Sequence, residues 1–284
     1  MEEKQNWMEW ITTLDRRYIF LLVAISVIIP IVIGVILPVN VSPEVRSVYN
    51  YIDALPEGST VMIVLDYDPA SEAELYPMTL ALYRHCFDRG IKVMSFTLWP
   101  NGAALIERAF DTIKLDYSES EMFPDGIRSG IEYVNYGYQV GGALVIIAAG
   151  QDIRTAFSTD YRGNSTASME ILEEINSLGD LDYVVDLAAG STIDWWVIYG
   201  VQRYHFTLGA GCTAVSATQY YPYLNTGQLN GLIGGLKGAA EYEQLGGHPD
   251  RALAGMTAQS SVHALIVFLV VIANVFYFLT RKKG

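Results

Sequence analysis

Two uncharged apolar segments, one near each end of the chain, constrain this protein more than any other feature of its sequence. Residues 18–39 (YIFLLVAISVIIPIVIGVILPV) carry no charge over 22 positions, and residues 262–279 carry none over 18. Each segment is long enough to cross about 30 Å of hydrocarbon as a helix. The sequence therefore predicts a two-pass membrane protein, with the lipid bilayer as its first partner.

Basic residues flank both segments on their outer sides: Arg16 and Arg17 before the first, and Arg281, Lys282 and Lys283 after the second. Positively charged flanks favour the cytoplasm. We therefore expect an integral protein of the cell membrane with cytoplasmic tails at 1–17 and 281–284, spans at 18–39 and 261–280, and an extracytoplasmic domain at 40–260. A cleaved signal peptide is the alternative for the first segment, but its apolar run is long for one and no A-x-A cleavage site follows.

The region between the spans is strongly acidic. It contains 27 acidic and 12 basic residues, a formal charge of −15. Such a surface repels phosphate backbones, which argues against a nucleic-acid partner. With only four histidines and no clustered ligand pattern, the sequence does not predict a zinc site. Cys86 and Cys212 are interpreted as separate buried thiols, with one disulfide as the alternative.

Apolar runs of β character alternate with helical patterns along this region, which predicts a Rossmann-like three-layer α/β domain with a mainly parallel sheet of about five strands. The strands are expected at 61–65, 91–98, 143–147, 183–187 and 206–216. Helices are expected at 71–89, 103–113, 169–178 and 192–201. An Ala-Ala-Gly turn follows both the third and the fourth predicted strand, at 148–150 and 188–190.

Two stretches suggest contacts with a partner. Residues 114–142 are long for a plain connection, with at most one helix around 127–134, and are expected to form a functional or interface insertion. The tyrosines that we expect at an interface lie in this stretch and after the last predicted strand: Tyr133, Tyr136, Tyr138, Tyr220, Tyr221 and Tyr223.

A glycine-rich segment, 227–243, has apolar positions on one helical stripe and is predicted to be a helix. Four of its glycines are candidate interface residues: Gly231, Gly234, Gly235 and Gly238. Each would weaken an isolated helix by about 1 kcal/mol, so a closely packed neighbour is expected to compensate. Packing within the same chain is favoured over packing against another chain, and a glycine-rich loop is a further alternative.

Four acidic residues are candidates for catalysis because they are expected at the carboxyl ends of strands, where ligands bind in such sheets: Asp66, Asp68, Asp152 and Asp194. The run VLDYD at 64–68 resembles the motif of haloacid dehalogenase-type phosphohydrolases. That resemblance implies a nucleophilic carboxylate at Asp66, a general acid at Asp68 and Mg²⁺ held by both. Position 70 is Ala, where the motif has Thr or Val. Alternatively, both residues simply end a strand and begin a turn.

Two other patterns are interpreted structurally. Ser191 and Asp194 have the spacing of a capping box at a helix start, with an anion held there as the alternative. Gly209-x-Gly211-x-x-Ala214 has the letters of a dinucleotide fingerprint but lies within the last predicted strand, so we interpret it as a tightly packed strand.

An outside α/β domain held between two terminal helices resembles the layout of the auxiliary component of gliding-type ABC exporters. This architectural resemblance implies an accessory subunit of a membrane assembly. The sequence thus predicts a membrane-anchored interaction or scaffold protein, forming a homo-oligomer or binding another membrane protein, with no cofactor. The alternative is an extracytoplasmic enzyme or small-ligand receptor that uses the carboxyl edge of the sheet, with Mg²⁺ only in that case. A channel is less favoured, because neither span has a charged residue to mark a path.

Overall fold

A computed structural model describes residues 15–281 of the chain. Its residues divide into two compact units. One comprises the described residues up to Pro38 and from Leu253 onward, and the other is the domain Val39–Ala252.

Helices α1 (Arg16–Ile33) and α11 (Arg251–Arg281) are each long and apolar enough to span a membrane, with mean hydropathy of 2.2 and 2.3. Helix α1 is shorter than the predicted span at 18–39. It ends because Gly34 adopts a left-handed conformation (φ 71°) and donates its N–H to the Pro30 carbonyl oxygen. Helix α11 begins ten residues before the predicted boundary at 261.

The domain is an α/β fold around a six-stranded sheet in which every neighbouring pair is parallel. The strands are β1 (Thr60–Asp66), β2 (Lys92–Thr97), β3 (Tyr133–Tyr138), β4 (Tyr183–Ala188), β5 (Leu208–Cys212) and β6 (Gly231–Gly234). Their spatial order is β3-β2-β1-β4-β5-β6. Along the chain, β2 and β3 are therefore added on one side of β1, and β4, β5 and β6 are then added on its other side.

Helices flank this sheet. They are α2 (Pro43–Asp53), α3 (Glu72–Asp88), α4 (Gly102–Asp116), α5 (Ala143–Gln151), α6 (Ile153–Ala156), α7 (Thr192–Trp195), α8 (Gln202–Tyr204), α9 (Ala217–Asn225) and α10 (Gly235–Gly246). A π-helical turn, Trp196–Val201, joins α7 to α8. The α/β class is confirmed, with one strand more than expected.

The third strand was wrongly predicted. Residues 143–147 belong to helix α5, and β3 is instead Tyr133–Tyr138, where the sequence suggested a helix and an insertion. A short apolar run such as ALVIIAA has no clear period, so it fits a buried strand or a buried helix equally well. The aromatic residues of YVNYGY favour a strand. Consequently the two Ala-Ala-Gly segments are not equivalent: the first is helical, and the second follows β4.

Two predicted helices also differ. The one expected at 169–178 is replaced by 3-10 turns at Glu170–Leu172 and Leu178–Asp180. The one expected at 227–243 is split into strand β6 and helix α10. Gly231 explains this strand: a Cβ atom there would lie 2.5 Å from the Glu44 carbonyl oxygen, so helix α2 packs directly on the backbone of β6.

Candidate functional site

The most unusual pair of side chains in the domain lies at the centre of the sheet. Strands β1 and β4 are neighbours at the point where the strand order reverses, which is where open α/β sheets bind ligands. Val64 pairs with Asp186, and Asp66 pairs with Ala188. Side chains paired in a parallel ladder share a face, so Asp66 and Asp186 lie on the same face of adjacent strands, two residues apart in register. Both residues are 0% exposed.

Each carboxyl group has hydrogen-bond donors on one oxygen only. Asp66 Oδ1 accepts from Leu98 N (2.6 Å) and, at a longer distance, from Thr97 Oγ1 (3.4 Å). Asp186 Oδ2 accepts from Thr192 Oγ1 (2.9 Å). The other two oxygens, Asp66 Oδ2 and Asp186 Oδ1, have no hydrogen-bond partner within the part of the chain that the structure describes.

Burial dominates the electrostatics of this pair. It raises the pKa of Asp66 to about 7, against the opposing effect of the hydrogen bond from Leu98. Burial, followed by the negative charge of Asp66, raises the pKa of Asp186 well above its ordinary value. The two carboxyl groups interact, since each influences the pKa of the other.

Aromatic side chains pack between the loops at the carboxyl edge of the sheet. Gly190 lies against the Trp99 ring, since a Cβ atom there would be 2.9 Å from Cζ2, and its carbonyl oxygen accepts from Tyr220 Oη at 2.8 Å. A Cβ atom at Gly142 would lie 3.2 Å from the Trp195 ring. Trp99 and Trp195 are half-buried. The loops after β2, β3 and β4 are thus packed together by rings.

Of the four acidic residues predicted from sequence, Asp66 alone belongs to this pair. Asp68 Oδ1 accepts from Ala70 N (3.0 Å) and begins the 3-10 turn Pro69–Ser71, as the structural alternative proposed. Asp68 and Asp66 therefore have different partners. Asp152 follows helix α5 rather than a strand, so its predicted place at the carboxyl edge is wrong. It is exposed and caps α6 through the amides of Arg154 and Thr155.

The predicted capping box at Ser191 does not form, because the Ser191 side chain makes no cap hydrogen bond. Asp194 instead accepts from Tyr223 Oη at 2.8 Å, which ties helix α7 to α9. Sequence reasoning missed Asp186 altogether. The sequence feature that could have identified Asp186 is its position as an acidic residue inside the apolar run YVVDLA.

The same edge carries exposed apolar side chains. Tyr138, Val140 and Leu144 lie at the end of β3 and the start of α5, with 38%, 80% and 69% of their surface exposed. Val215, in the loop after β5, is 88% exposed. We call these four residues the apolar edge. Single exposed apolar residues are common, but several along one edge mark a candidate contact surface.

The residues predicted for an interface have mixed environments. Tyr133, Tyr136 and Tyr220 are buried, Tyr223 is half-buried, and Tyr221 is 43% exposed, so Tyr138 and Tyr221 are the members with accessible rings. The glycines of the 227–243 segment contact their own chain: Gly231 meets α2, Gly234 meets Ala217, Gly235 meets Ala214, and Gly238 meets Ile233.

The cysteines are separate buried thiols, as predicted: both are free, and burial raises the pKa of each, that of Cys212 to about 12. Gly209 and Gly211 pack against Tyr183 and Leu187 within the sheet, which confirms a tightly packed strand. Among residues 15–281, no three His, Cys, Asp or Glu side chains are grouped to hold a metal ion.

Comparisons of this chain with protein-family models, with curated proteins and with solved structures each found no match.

Proposed function

We propose that this chain is a membrane-anchored interaction protein whose domain docks onto another membrane protein through the apolar edge. In this proposal the two terminal helices span the cell membrane, both tails are cytoplasmic, and the Rossmann-like three-layer domain lies outside. The observation that carries it is the exposure of apolar side chains after the carboxyl ends of β3 and β5: Val140, Leu144 and Val215 are 80%, 69% and 88% exposed.

Burial of the apolar edge would release ordered water and favour association at about 25 cal/mol per Å² of apolar surface. Protein interfaces have an apolar centre with a polar rim. Here the loop after β1 and the first turn of α3 carry Asp68, Glu72 and Glu74, of which Glu72 is paired with Arg108. The chemistry of this surface therefore suits an apolar contact surrounded by acidic groups.

Charge favours a different protein over a second copy as the occupant. Two copies of a region with a formal charge of −15 repel each other, whereas a basic rim on a partner would attract it. Two membrane anchors also confine the domain to one surface, which raises its effective concentration near other membrane proteins. The expected partner is thus a membrane protein with an apolar patch flanked by Lys and Arg.

Site-specific photo-crosslinking in native membranes tests this proposal. A photoreactive residue is placed at Val140 in the full-length chain, and a matched one at Leu115. Leu115 is also strongly exposed (75%) but lies near the end of α4, at the opposite edge of the sheet. We expect an adduct of one defined mass from position 140 and none from position 115. Mass spectrometry of the adduct should identify a membrane protein with a basic soluble region.

Two other results would contradict the proposal. An adduct of twice the chain mass of 31.5 kDa would show a second copy on this edge and overturn the choice of partner. Equal labelling from positions 140 and 115 would show random collision. Loss of the adduct in a Leu144→Glu variant, with Leu115→Glu as its control, would support docking through the apolar edge.

A further inference from the structure

We propose that Asp66 and Asp186 form a proton latch, in which one shared proton holds the ends of β1 and β4 together and loss of that proton loosens the carboxyl edge. This device is separate from the docking proposed above and depends only on the sealed pair. The pair is fully buried, lies on one face of adjacent strands and has one oxygen of each carboxyl group without a hydrogen-bond partner among the described residues.

A single proton explains the two partnerless oxygens. Asp66 Oδ2 and Asp186 Oδ1 both lack a donor, and two unprotonated carboxylates cannot supply one to each other. If one carboxyl group is protonated, its O–H donates to the other and both atoms are satisfied. Without that proton, two like charges would lie on adjacent strands at positions that are 0% exposed to solvent, which is strongly unfavourable.

The groups packed around the pair do not supply a compensating positive charge. Strand β2 contributes the Thr97 hydroxyl and the Leu98 amide, and α7 contributes the Thr192 hydroxyl. The titratable groups whose charges act on or near the pair are Cys212 on β5, Tyr220 on α9, Asp194 on α7 and, toward Cys212, Glu74 on α3. Burial raises the pKa of both the Cys212 thiol and the Tyr220 hydroxyl, so these two remain neutral at physiological pH.

Each carboxyl group also positions a loop. Asp66 accepts from Leu98 N, and Thr97 Oγ1 accepts in turn from Trp99 N at 2.9 Å. The Trp99 ring packs on Gly190, which lies two residues before Thr192, the donor to Asp186. Repulsion within the pair would therefore displace Trp99 and the loop between β4 and α7 together. The fluorescence of Trp99 is a direct probe of the latch.

The sign of the pH dependence follows from the raised pKa values. An Asp in an unfolded chain titrates near 3.8, whereas burial raises the pKa of Asp66 to about 7 and the pKa of Asp186 well above its ordinary value. Above pH 3.8 the folded state therefore holds more protons than the unfolded state. The stabilisation is fully present below that pH and is lost as the pH rises through the folded values. A full proton difference changes the unfolding equilibrium constant about tenfold per pH unit.

The test is chemical unfolding of the full-length chain in lipid nanodiscs between pH 6 and pH 9. In Asp186→Asn, the amide donates to Asp66 at every pH, so it replaces the shared proton permanently. We expect the wild-type unfolding constant to rise at least tenfold over this range, and the rise to be smaller in Asp186→Asn, where Asp66 is the one buried carboxyl group of the pair that still titrates. Asp182→Asn, at the other end of β4, is the matched control and should retain the wild-type rise.

Equal pH dependence in the wild type and in Asp186→Asn would overturn the latch, as would a flat wild-type profile. If Asp186→Asn fails to fold, the infrared carbonyl band of a protonated carboxyl group decides the question in the wild type alone. That band should be present at pH 6 and lost by pH 9, together with increased quenching of tryptophan fluorescence by acrylamide. A wild-type protein without this band at pH 6 has no shared proton, and the proposal fails.

Discussion

The two ends of the sheet both carry acidic side chains, but the ends bury them to different extents. At the amino end, an open cleft of about 630 Å³ is lined by Glu57, Glu170, Glu173, Glu174, Asp180 and Asp182, with Lys92 among them. At the carboxyl end, Asp66 and Asp186 are 0% exposed. Hydration and salt weaken repulsion in the cleft, whereas the buried pair requires a proton. The same residue type thus contributes surface charge at one end and proton-dependent stability at the other.

The largest effect should come from the backbone packing that holds the buried pair in place. A Cβ atom at Gly102 would lie 2.6 Å from the Leu65 carbonyl oxygen and closer still to Thr97 Oγ1, which donates to Asp66. Because a backbone oxygen cannot move aside, Gly102→Ala should reduce the free energy of unfolding by about 3 kcal/mol, the upper end for overpacking. Urea unfolding at pH 6 measures it.

Gly246→Ala is the matched control for that substitution. Gly246 ends helix α10 at the amino end, and a Cβ atom there would meet nothing within 4 Å. Alanine favours the helix and restricts the unfolded chain, so this variant should gain up to about 1 kcal/mol. Equal losses in the free energy of unfolding at both positions would contradict the explanation that the close contacts of Gly102 cause its loss.

A smaller loss is expected from the donor to Asp186. Thr192→Val keeps the shape of the side chain but removes the hydroxyl that donates to Asp186 Oδ2. A buried oxygen deprived of its donor costs about 1–3 kcal/mol. The loss should be largest at pH 9, because the hydroxyl stabilises the charged form of the pair. Unfolding curves at pH 6 and pH 9 test this, and a loss independent of pH would disagree with it.

The capping residue Ser177, at the amino end of the sheet, should contribute less to the free energy of unfolding than Thr192. Ser177 forms a capping box with Asp180 at the 3-10 turn Leu178–Asp180, where both side chains are near water. Ser177→Ala should therefore cost about 1 kcal/mol, with no change of that cost between pH 6 and pH 9. Thermal unfolding of the variant at both pH values measures it, and a cost larger than that of Thr192→Val would reverse the proposed ranking of the two ends.

Sequence patterns predicted β1, β2 and β4 because each is an apolar run bounded by turn residues and followed by a helical pattern, and they predicted β5 from a run of small and apolar residues. They failed at β3 and α5, since ALVIIAA is apolar on every side, and burial rather than period decides its conformation. They also failed at β6, where the choice of strand depends on helix α2 packing against Gly231. That contact joins segments far apart in the chain, so no local propensity reports it.

Of the two residues of the candidate site, Asp66 was predicted from the sequence and Asp186 was not. Asp66 follows an apolar strand and was recognised as a residue of the carboxyl edge. Asp186 lies within a strand, and only the register of β1 against β4 places it beside Asp66. Asp152 was assigned to that edge because its segment was taken as a strand. Which residues of two strands lie side by side depends on the order and register of the strands. Composition and spacing along one strand therefore could not predict that Asp66 and Asp186 are neighbours.

The smallest effect should come from the exposed acidic residues of the amino-end cleft. Glu173→Gln and Glu174→Gln each remove one negative charge from a group of like charges in water, so each should raise the free energy of unfolding by at most about 0.5 kcal/mol. The gain should disappear at 1 M salt, where the screening length is about 3 Å. The pH response of the buried pair should persist at that salt concentration, because ions do not enter a site without water. Unfolding curves at low and high salt measure both effects, and a salt-sensitive response of the buried pair would show that water already reaches the carboxyl end.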